Sequence, residues 1–154
     1  MAKEGLYGRL GLGEGEIPLR DGILRFPSSP KEKPHLIASK CKSCGDISFP
    51  PKIFCGKCEG QDVEMIPLSN RGKIYSYTVV RQMAIPGIEV PYVLAIVKVP
   101  DDPELLIATQ IADCEPEDVS IGMEVEMIID KVRSGLTSGK DVIGYKFRPV
   151  KKQR

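Results

Sequence analysis

Hydrophobic and polar residues alternate along the second half of the chain, from residue 67 to residue 150. The alternating runs are rich in β-branched and aromatic side chains, which is typical of strands that turn one face to a core. Turn-forming residues separate these runs. The pattern predicts five strands, at about residues 72–82, 92–99, 104–113, 124–132 and 142–150.

Two details of this pattern point to one architecture. In the fourth strand, Val125, Met127 and Ile129 are expected to face inward. Between the third and fourth strands, the segment that begins at Pro116 is expected to form one helical turn, because proline and acidic residues favour the N-terminal end of a helix. Five strands with a short helical element in this place are the plan of an OB barrel.

Residues 1–34 follow a different pattern, with glycine and proline at high density. Both residue types disfavour helix and strand, so we expect an extended arm that is flexible in isolation. Apolar side chains nevertheless occur throughout the arm, and a solvated linker has no use for so many. The arm is therefore predicted to lie against another surface, either its own domain or a partner.

Four of the five cysteines lie between these two regions, as two Cys-x-x-Cys pairs: Cys41, Cys44, Cys55 and Cys58. Two intervening residues let one tight turn aim both thiolates at a single ion, and two such turns complete a tetrahedral set. Lysines at positions 40, 42, 52 and 57 would offset the negative charge of the site. Because four thiolates leave no open coordination position, we predict one structural zinc ion.

Other uses of these cysteines have weaker support. Two disulfides need an oxidising compartment, and the chain starts with MAKEGLYGRL rather than with an apolar secretion segment. A thioredoxin-like redox pair needs a single Cys-x-x-Cys within a strand-helix-strand pattern, whereas here two lie within eighteen residues of turn-rich chain. Iron, as a cluster or a rubredoxin-type ion, uses the same ligands and stays an alternative.

Composition and charge narrow the class of protein. The chain has 154 residues, 42% of them hydrophobic, which suits one or two small globular domains. Lysine and arginine number 22 and the acids 21, whereas nucleic-acid-binding proteins usually show a basic excess. No apolar run approaches the ~20 residues of a membrane-spanning helix. Without a targeting segment, the expected location is the cytoplasm.

The best candidate for partner or ligand contact outside the cysteines is the loop QMAIPGIEVP after the first barrel strand. Its apolar tip is expected to stand at one mouth of the barrel, where OB folds commonly bind ligands. Exposed tips of this kind often mark contact sites, and a loop folded back on its own barrel is the alternative. The residues concerned are Ile85, Pro86, Gly87, Ile88 and Val90.

No catalytic set is predicted in this chain. Its one histidine, His35, is expected to start a short strand that leads into the first cysteine pair. The cysteine outside the pairs, Cys114, lies between Asp113 and Glu115, whose charges would raise its pKa and weaken it as a nucleophile. We expect Cys114 to be a half-buried core residue.

The order of these features resembles one known family. A four-cysteine ribbon stands directly before a five-stranded barrel, with the segments FPPKIFCGKC, GKIYSYTVV, PYVLAIVKV, IGMEVEMII and YKFRPV. This combination closely resembles OB-fold proteins with a rubredoxin-like zinc ribbon, a domain-of-unknown-function family associated with thiolases and hydroxymethylglutaryl-CoA synthases. Relatives usually begin with amphipathic helices, whereas this chain begins with the glycine- and proline-rich arm.

The resemblance implies a mainly β fold with an extended arm at residues 1–34, a zinc ribbon at 35–66, an OB barrel at 67–150 and a basic tail at 151–154. It implies that the four paired cysteines hold the zinc and that the loop Met83 to Pro91 faces a partner's active site. The implied function is that of an accessory subunit that docks on a thiolase-type catalytic subunit and helps to position or shield an acyl-CoA. A thiolase needs a reactive cysteine with histidine partners, so the other subunit would react.

Six cations on or near the barrel strands are weaker candidates for holding CoA phosphates, because scattered cations usually form a solvated face. They are Arg81, Lys98, Arg133, Lys140, Lys146 and Arg148. The alternative function is a single-stranded nucleic-acid-binding module, since ribbons and OB folds both serve that role. The near-zero net charge and the aromatic content of 6% weigh against it. A rubredoxin-like electron carrier is a third, weaker alternative.

Overall fold

The structure, a computed structural model, describes residues 10–82, 85–136 and 138–151. None of these residues belongs to a helix long and apolar enough to cross a membrane. The described chain forms ten strands and one 3-10 turn: β1 (Glu16–Pro18), β2 (Leu24–Arg25), β3 (His35–Cys41), β4 (Ile47–Ser48), β5 (Val63–Pro67), β6 (Arg71–Val80), β7 (Tyr92–Lys98), β8 (Leu106–Ile111), η1 (Pro116–Asp118), β9 (Glu124–Arg133) and β10 (Asp141–Pro149).

Five of these strands close into a barrel. β6, β7 and β8 form an antiparallel meander, and β8 joins β10 in parallel where Ile111 faces Phe147. β10 pairs with β9 along most of its length, and β9 returns to the start of β6 at residues 71–73. The closed order β6-β7-β8-β10-β9, with η1 between β8 and β9, confirms the predicted OB barrel.

The barrel core is filled by the inward-facing residues of these strands. Val125, Met127 and Ile129 are all buried, as predicted for the fourth barrel strand. Ile128 between them is buried as well, so β9 is covered on both faces at this point. Phe147 of β10 is fully buried, and burial of one side chain of this size contributes about 1.5–3 kcal/mol.

The ribbon is built around β3. It begins at His35, as predicted, and pairs antiparallel with β4 and with β5. The sequence does not predict β5, whose residues lack a clear alternation of apolar and polar side chains. The Nδ1 atom of His35 lies 2.9 Å from the carbonyl oxygen of Leu68, so this ring nitrogen carries the proton and donates.

The ribbon and the barrel share one core. Leu36 and Ala38 of β3 belong to the same buried cluster as the inward residues of the barrel. Phe49 packs edge-on against Tyr145 of β10, with 5.5 Å between ring centroids and an interplanar angle of 79°. Asn70 Nδ2 donates to the carbonyl oxygens of Pro34 at 2.8 Å and of Met127 at 3.0 Å. The predicted boundary near residue 66 is therefore a change of pattern and not a gap in packing.

The arm lies against its own domain. β1 pairs in parallel with the start of β10, and β2 pairs with β3. The prediction of an extended arm is confirmed, but the expectation that it contains no strand is wrong. Gly144 explains part of the attachment, because a Cβ on this glycine would lie 3.0 Å from Leu19 side-chain atoms. The bare backbone of β10 thus lets the arm approach closely.

Candidate metal centre and contact surfaces

The four paired cysteines come together in the folded ribbon. Their sulfurs all lie within 4.8 Å of one another, and the pairs Cys41–Cys58 and Cys44–Cys55 are each separated by 3.6 Å. A tetrahedral ion with Zn–S bonds of about 2.3 Å holds its sulfurs about 3.8 Å apart. A disulfide would need about 2.05 Å. The sulfurs are therefore spaced as ligands of one ion and not as bonded pairs.

Two equivalent backbone turns aim these sulfurs. The amide of Gly45 donates to the carbonyl of Cys41 at 2.9 Å, and the amide of Glu59 donates to that of Cys55 at 3.0 Å. Gly45 and Glu59 both adopt the left-handed conformation, with φ of 79° and 61°. The sequence gave Gly56 a role like that of Gly45, and this assignment is wrong, because Glu59 occupies the equivalent turn position.

Hydrogen bonds from the backbone create unequal thiols. For Cys41, a backbone bond from Cys44 is the main cause that lowers the pKa to about 6. Backbone bonds from Cys58 and Lys57 likewise lower the pKa of Cys55. For Cys44, the backbone bond from Asp46 lowers the pKa, but burial and the neighbouring sulfurs outweigh it and raise the pKa to about 12. Two sulfurs are thus predisposed to the thiolate form that binds metal.

The surroundings of the site suit a charged metal centre. The amide of Lys57 donates to the sulfur of Cys55 at 3.4 Å, a bond of the kind that tunes metal-bound thiolates. The four flanking lysines that the sequence singles out are all exposed, at positions 40, 42, 52 and 57. The Lys42 ammonium lies 3.9 Å from Asp62. These cations reduce the net negative charge of a four-thiolate site without blocking it.

The segment before Cys55 exposes two large apolar side chains. The sequence predicts that the aromatic residues between the cysteine pairs cover the metal and dock the ribbon, and Phe49 does dock. Ile53 and Phe54 point outward instead, with 82% and 52% of their surface exposed. The amide of Lys52 donates to the buried Ser39 hydroxyl at 2.9 Å and fixes the start of the segment. The result is a rigid apolar tip beside the metal site.

The loop between β6 and β7 is partly folded back and partly exposed. Ser134 donates its amide to the carbonyl of Gly87 at 2.9 Å, and a Cβ on Gly87 would lie 2.5 Å from the Ser134 oxygen. Ile88 is half-buried, whereas Ile85, Pro86 and Val90 are exposed. The first part of the predicted contact loop, Met83 and Ala84, lies outside the described residues.

Three of the six candidate phosphate-binding cations are engaged in ion pairs. Lys146 pairs with Asp130 at 3.2 Å, and Arg148 pairs with Glu126 at 3.0 Å in a half-buried position. Arg81 lies 4.0 Å from Glu117, and both side chains are exposed. The sequence did not distinguish these cations from Lys98, whose ammonium lies 4.3 Å above the ring of Tyr75.

Cys114 is half-buried against the core cluster, in agreement with the prediction. Burial raises the pKa of its thiol, and the charges of Asp118 and Glu115 add to this effect. The sequence named Asp113 in place of Asp118, but Asp113 is directed to Arg148 at 3.7 Å. A thiol with a raised pKa and no adjacent base is a poor nucleophile.

One surface feature has no counterpart in the sequence predictions. A groove of about 420 Å³ opens at the start of β6, where this strand lies between β7 and β9. Its walls are largely apolar and its rim carries cations. The lining residues include Ile74, Tyr75, Lys98, Val99 and Pro100.

Comparison with known proteins identifies both parts of the chain. The family model "ChsH2, rubredoxin-like zinc ribbon domain" matches residues 29–64, and "ChsH2, C-terminal OB-fold domain" matches residues 65–130. A DUF35 domain-containing scaffold protein from Methanocaldococcus jannaschii is 41% identical over 123 residues, which cover 78% of this chain and 85% of the relative. A similar scaffold protein from Pyrococcus furiosus is 39% identical over 122 residues, with 78% and 87% covered.

Two further proteins link this kind of chain to enzymes. The resemblance seen in the sequence extends to the zinc-finger subunit of benzoylsuccinyl-CoA thiolase. The subunit BbsA from Thauera aromatica is 33% identical over 117 residues, which cover 76% of this chain and 78% of BbsA. A solved structure described as an Ltp2-ChsH2(DUF35) aldolase is similar over 75% of this chain and 84% of that chain, with a TM-score of 0.57 and 26% identity. The chain belongs to the DUF35 family of proteins that combine a rubredoxin-like zinc ribbon with an OB fold.

Proposed function

We propose that this chain is an accessory, non-catalytic subunit of an acyl-CoA thiolase complex. It docks on a thiolase-type catalytic subunit and helps to position or shield the acyl-CoA substrate. The observation that carries the proposal is the 33% identity to a benzoylsuccinyl-CoA thiolase subunit, which spans both the ribbon and the barrel. The aldolase structure, whose description pairs this kind of chain with Ltp2, supports a catalytic partner in more general terms.

The metal has a structural role in this proposal. One zinc ion bound by Cys41, Cys44, Cys55 and Cys58 is closed to substrate, because the four thiolates complete its coordination. When bound, the ion supplies folding energy of about 10–16 kcal/mol. Its effect on function is indirect: it holds the segment that ends at Cys55 in a fixed shape.

The proposed docking surface has two parts. The first is the apolar tip of Ile53 and Phe54, since aromatic and aliphatic side chains held rigidly on a surface are typical anchors of protein interfaces. The second is the exposed side of the loop at Ile85, Pro86 and Val90, which stands beside a barrel mouth. Both parts are apolar and lie next to exposed polar residues, which suits an interface with a dry centre and a wet rim.

A narrower form of the proposal specifies the pathway type. In that form the complex acts in the cytoplasm, in anaerobic degradation of aromatic compounds, and its substrate is an aryl-substituted acyl-CoA. The relationship to BbsA supports this form. The archaeal scaffold proteins, which match this chain at 41% and 39% identity, support the general form without a stated substrate.

Affinity purification from the native host tests the proposal. We expect a tagged chain to isolate with a thiolase-type subunit and with about one zinc ion per chain. The double variant Ile53→Asp/Phe54→Asp should keep its zinc and lose the partner, because it places charges in the apolar contact. Leu10→Asp, a matched change at an exposed leucine of the arm, should keep both.

Three outcomes would contradict the proposal. Nucleic acid in the eluate in place of an enzyme would indicate the single-strand-binding function. Recovery of the chain with no partner would also count against a subunit role. Iron in place of zinc would favour an electron carrier.

A further inference from the structure

The first barrel strand, β6, has an edge that nothing covers. It pairs with β9 only over residues 71–73, and its last backbone bonds on that side join Ile74 to Met123 at 3.0 Å and to Gly122 at 2.8 Å. The register with β7 then shifts between Ile74 and Ser76, so Tyr75 forms a bulge that turns the strand away from β9. From residue 75 to residue 80, β6 pairs with β7 alone within the part of the chain that the structure describes.

This edge lacks the usual protection. Four consecutive residues, 75–78, are exposed, so the strand presents both faces as well as one edge. The segment YSYTVV contains no charge and no proline, and it is rich in residues that favour strands. Natural sheets normally protect free edges with lysine, proline or a covering element, because an open edge pairs readily with another chain. An unprotected edge of this length is suited to accept a strand from a partner.

Cations stand at both ends of the free edge. Arg71, Lys73 and Lys98 lie at its start and line the groove, and none of them forms an ion pair with another described residue. One acid, Glu124, lies among them. Arg81 follows the end of the edge, and its pairing with Glu117 is exposed and long at 4.0 Å. Exposed pairs of this kind hold their partners weakly, so the surface favours an acidic occupant.

The groove supplies an anchor point. It has a volume of about 420 Å³, enough for one large apolar side chain, and its walls include Ile74, Val99 and Pro100. Tyr75 stands at its edge, held by the ammonium of Lys98 at 4.3 Å from the ring centroid. Because Ile74 and Tyr75 also begin the free edge, a strand added there would reach the groove with a neighbouring side chain.

We propose that the free edge of β6 at residues 75–80 binds an extended acidic segment of the catalytic partner, which adds to the sheet as a strand and places an apolar side chain in the groove. The identity of the partner rests on the proposed function, but the edge, the cations and the groove do not. Main-chain hydrogen bonds along the edge give this contact its affinity, and the cations at each end give it a preference for acidic sequences.

A second copy of this chain is a poor occupant. If two copies paired antiparallel along residues 75–80, Arg81 of each copy would approach Lys73 of the other. Like charges beside each other across a strand pair are destabilising. An acidic partner segment meets attraction at both ends instead.

Hydrogen exchange of the full zinc-loaded chain tests the proposal in two arms. In the purified complex with the catalytic partner, we expect the amides of residues 75–80 to exchange about tenfold more slowly or better than in the chain alone. Unchanged exchange there, together with slower exchange around Ile53 and Phe54, would overturn this proposal and leave the proposed function standing. If no partner is isolated, the proposed function fails and the second arm decides.

The second arm uses a synthetic peptide in which valine alternates with threonine and glutamates occupy both ends. The peptide should slow exchange at residues 75–80, and the same peptide with lysines in place of the glutamates should not. Lys73→Glu/Lys98→Glu should weaken the glutamate peptide by about tenfold or more, whereas Lys31→Glu, an exposed control in the arm, should not. No protection by the glutamate peptide, equal protection by both peptides, or protection that grows with chain concentration alone would overturn the proposal.

Discussion

The ribbon and the barrel reach stability by different means. The barrel closes around a continuous set of buried branched and aromatic residues, of which Phe147 is one of the largest. The ribbon has short strands, and Cys41 and Cys55 are its buried residues nearest the metal site. A small ribbon without a large core depends on its metal. Because the metal does this work, Ile53 and Phe54 are free to face outward as contact residues.

Loss of a metal ligand should have the largest effect, and it should fall on the ribbon. Cys41→Ser or Cys58→Ser leaves three thiolates, so we expect loss of most of the ~10–16 kcal/mol that structural zinc contributes. The variant should lose bound zinc, fast exchange should appear at residues 41–60, and partner binding should disappear. Metal analysis and hydrogen exchange measure this. Retained metal with a normal melting curve would show that the assignment is wrong, and Cys114→Ser is the control.

Truncation of the barrel core should destabilise the chain without first releasing the metal. Phe147 is completely buried, so Phe147→Ala should lower the free energy of unfolding by about 3–5 kcal/mol. Urea unfolding measures the loss, and zinc content before unfolding should be normal. Leu106→Ala, at a position with 48% exposure in the same barrel, should cost less than about 1 kcal/mol. Equal losses in the two variants would contradict the buried packing described for β10.

The shared core predicts a smaller effect at the junction of ribbon and barrel. Asn70→Ala removes two donated hydrogen bonds but also removes a buried acceptor, Oδ1, that has no partner among the described groups. We expect a loss of about 1–3 kcal/mol. Asn70→Asp should be worse than Asn70→Ala, because a carboxylate oxygen would then face two carbonyl oxygens. Thermal unfolding of both variants gives the order, and the reverse order would contradict the assigned amide orientation.

The smallest effect concerns Cys114. Its raised pKa means that less thiolate is present at a given pH, so alkylation at pH 8 should be slower than for an exposed model thiol and should accelerate only as the pH rises above 9. Mass spectrometry of the zinc-loaded chain after alkylation measures the rate. Rapid labelling of Cys114 at pH 7 would contradict the burial and the acidic surroundings described for it.

Much of the barrel follows from the sequence because its determinants are local. Period-two alternation locates β6 to β10, and Pro116 with its acidic neighbours locates η1. The metal centre is equally local, since the Cys-x-x-Cys spacing fixes which sulfurs can meet. These features depend on neighbours in sequence, which one sequence contains.

The features that the sequence does not predict depend on distant neighbours. β1 forms in a glycine- and proline-rich arm because β10 offers it a free edge and Gly144 offers it space. The left-handed turn at Glu59 is set by the fold of the ribbon and not by a glycine. Phe49 and Phe54 look alike in sequence, yet one docks on Tyr145 and the other is exposed. The open edge of β6 follows from a bulge at Tyr75 that no pattern of side chains reveals.

The most direct test of the account is the acyl-transfer activity of the purified catalytic subunit, measured alone and after addition of this chain in its zinc-loaded form. We predict that the catalytic subunit alone has lost most of its activity and that the zinc-loaded chain restores it. The Ile53→Asp/Phe54→Asp variant should restore little, and Leu10→Asp should restore it in full. Full activity of the catalytic subunit without this chain would contradict the proposed accessory role.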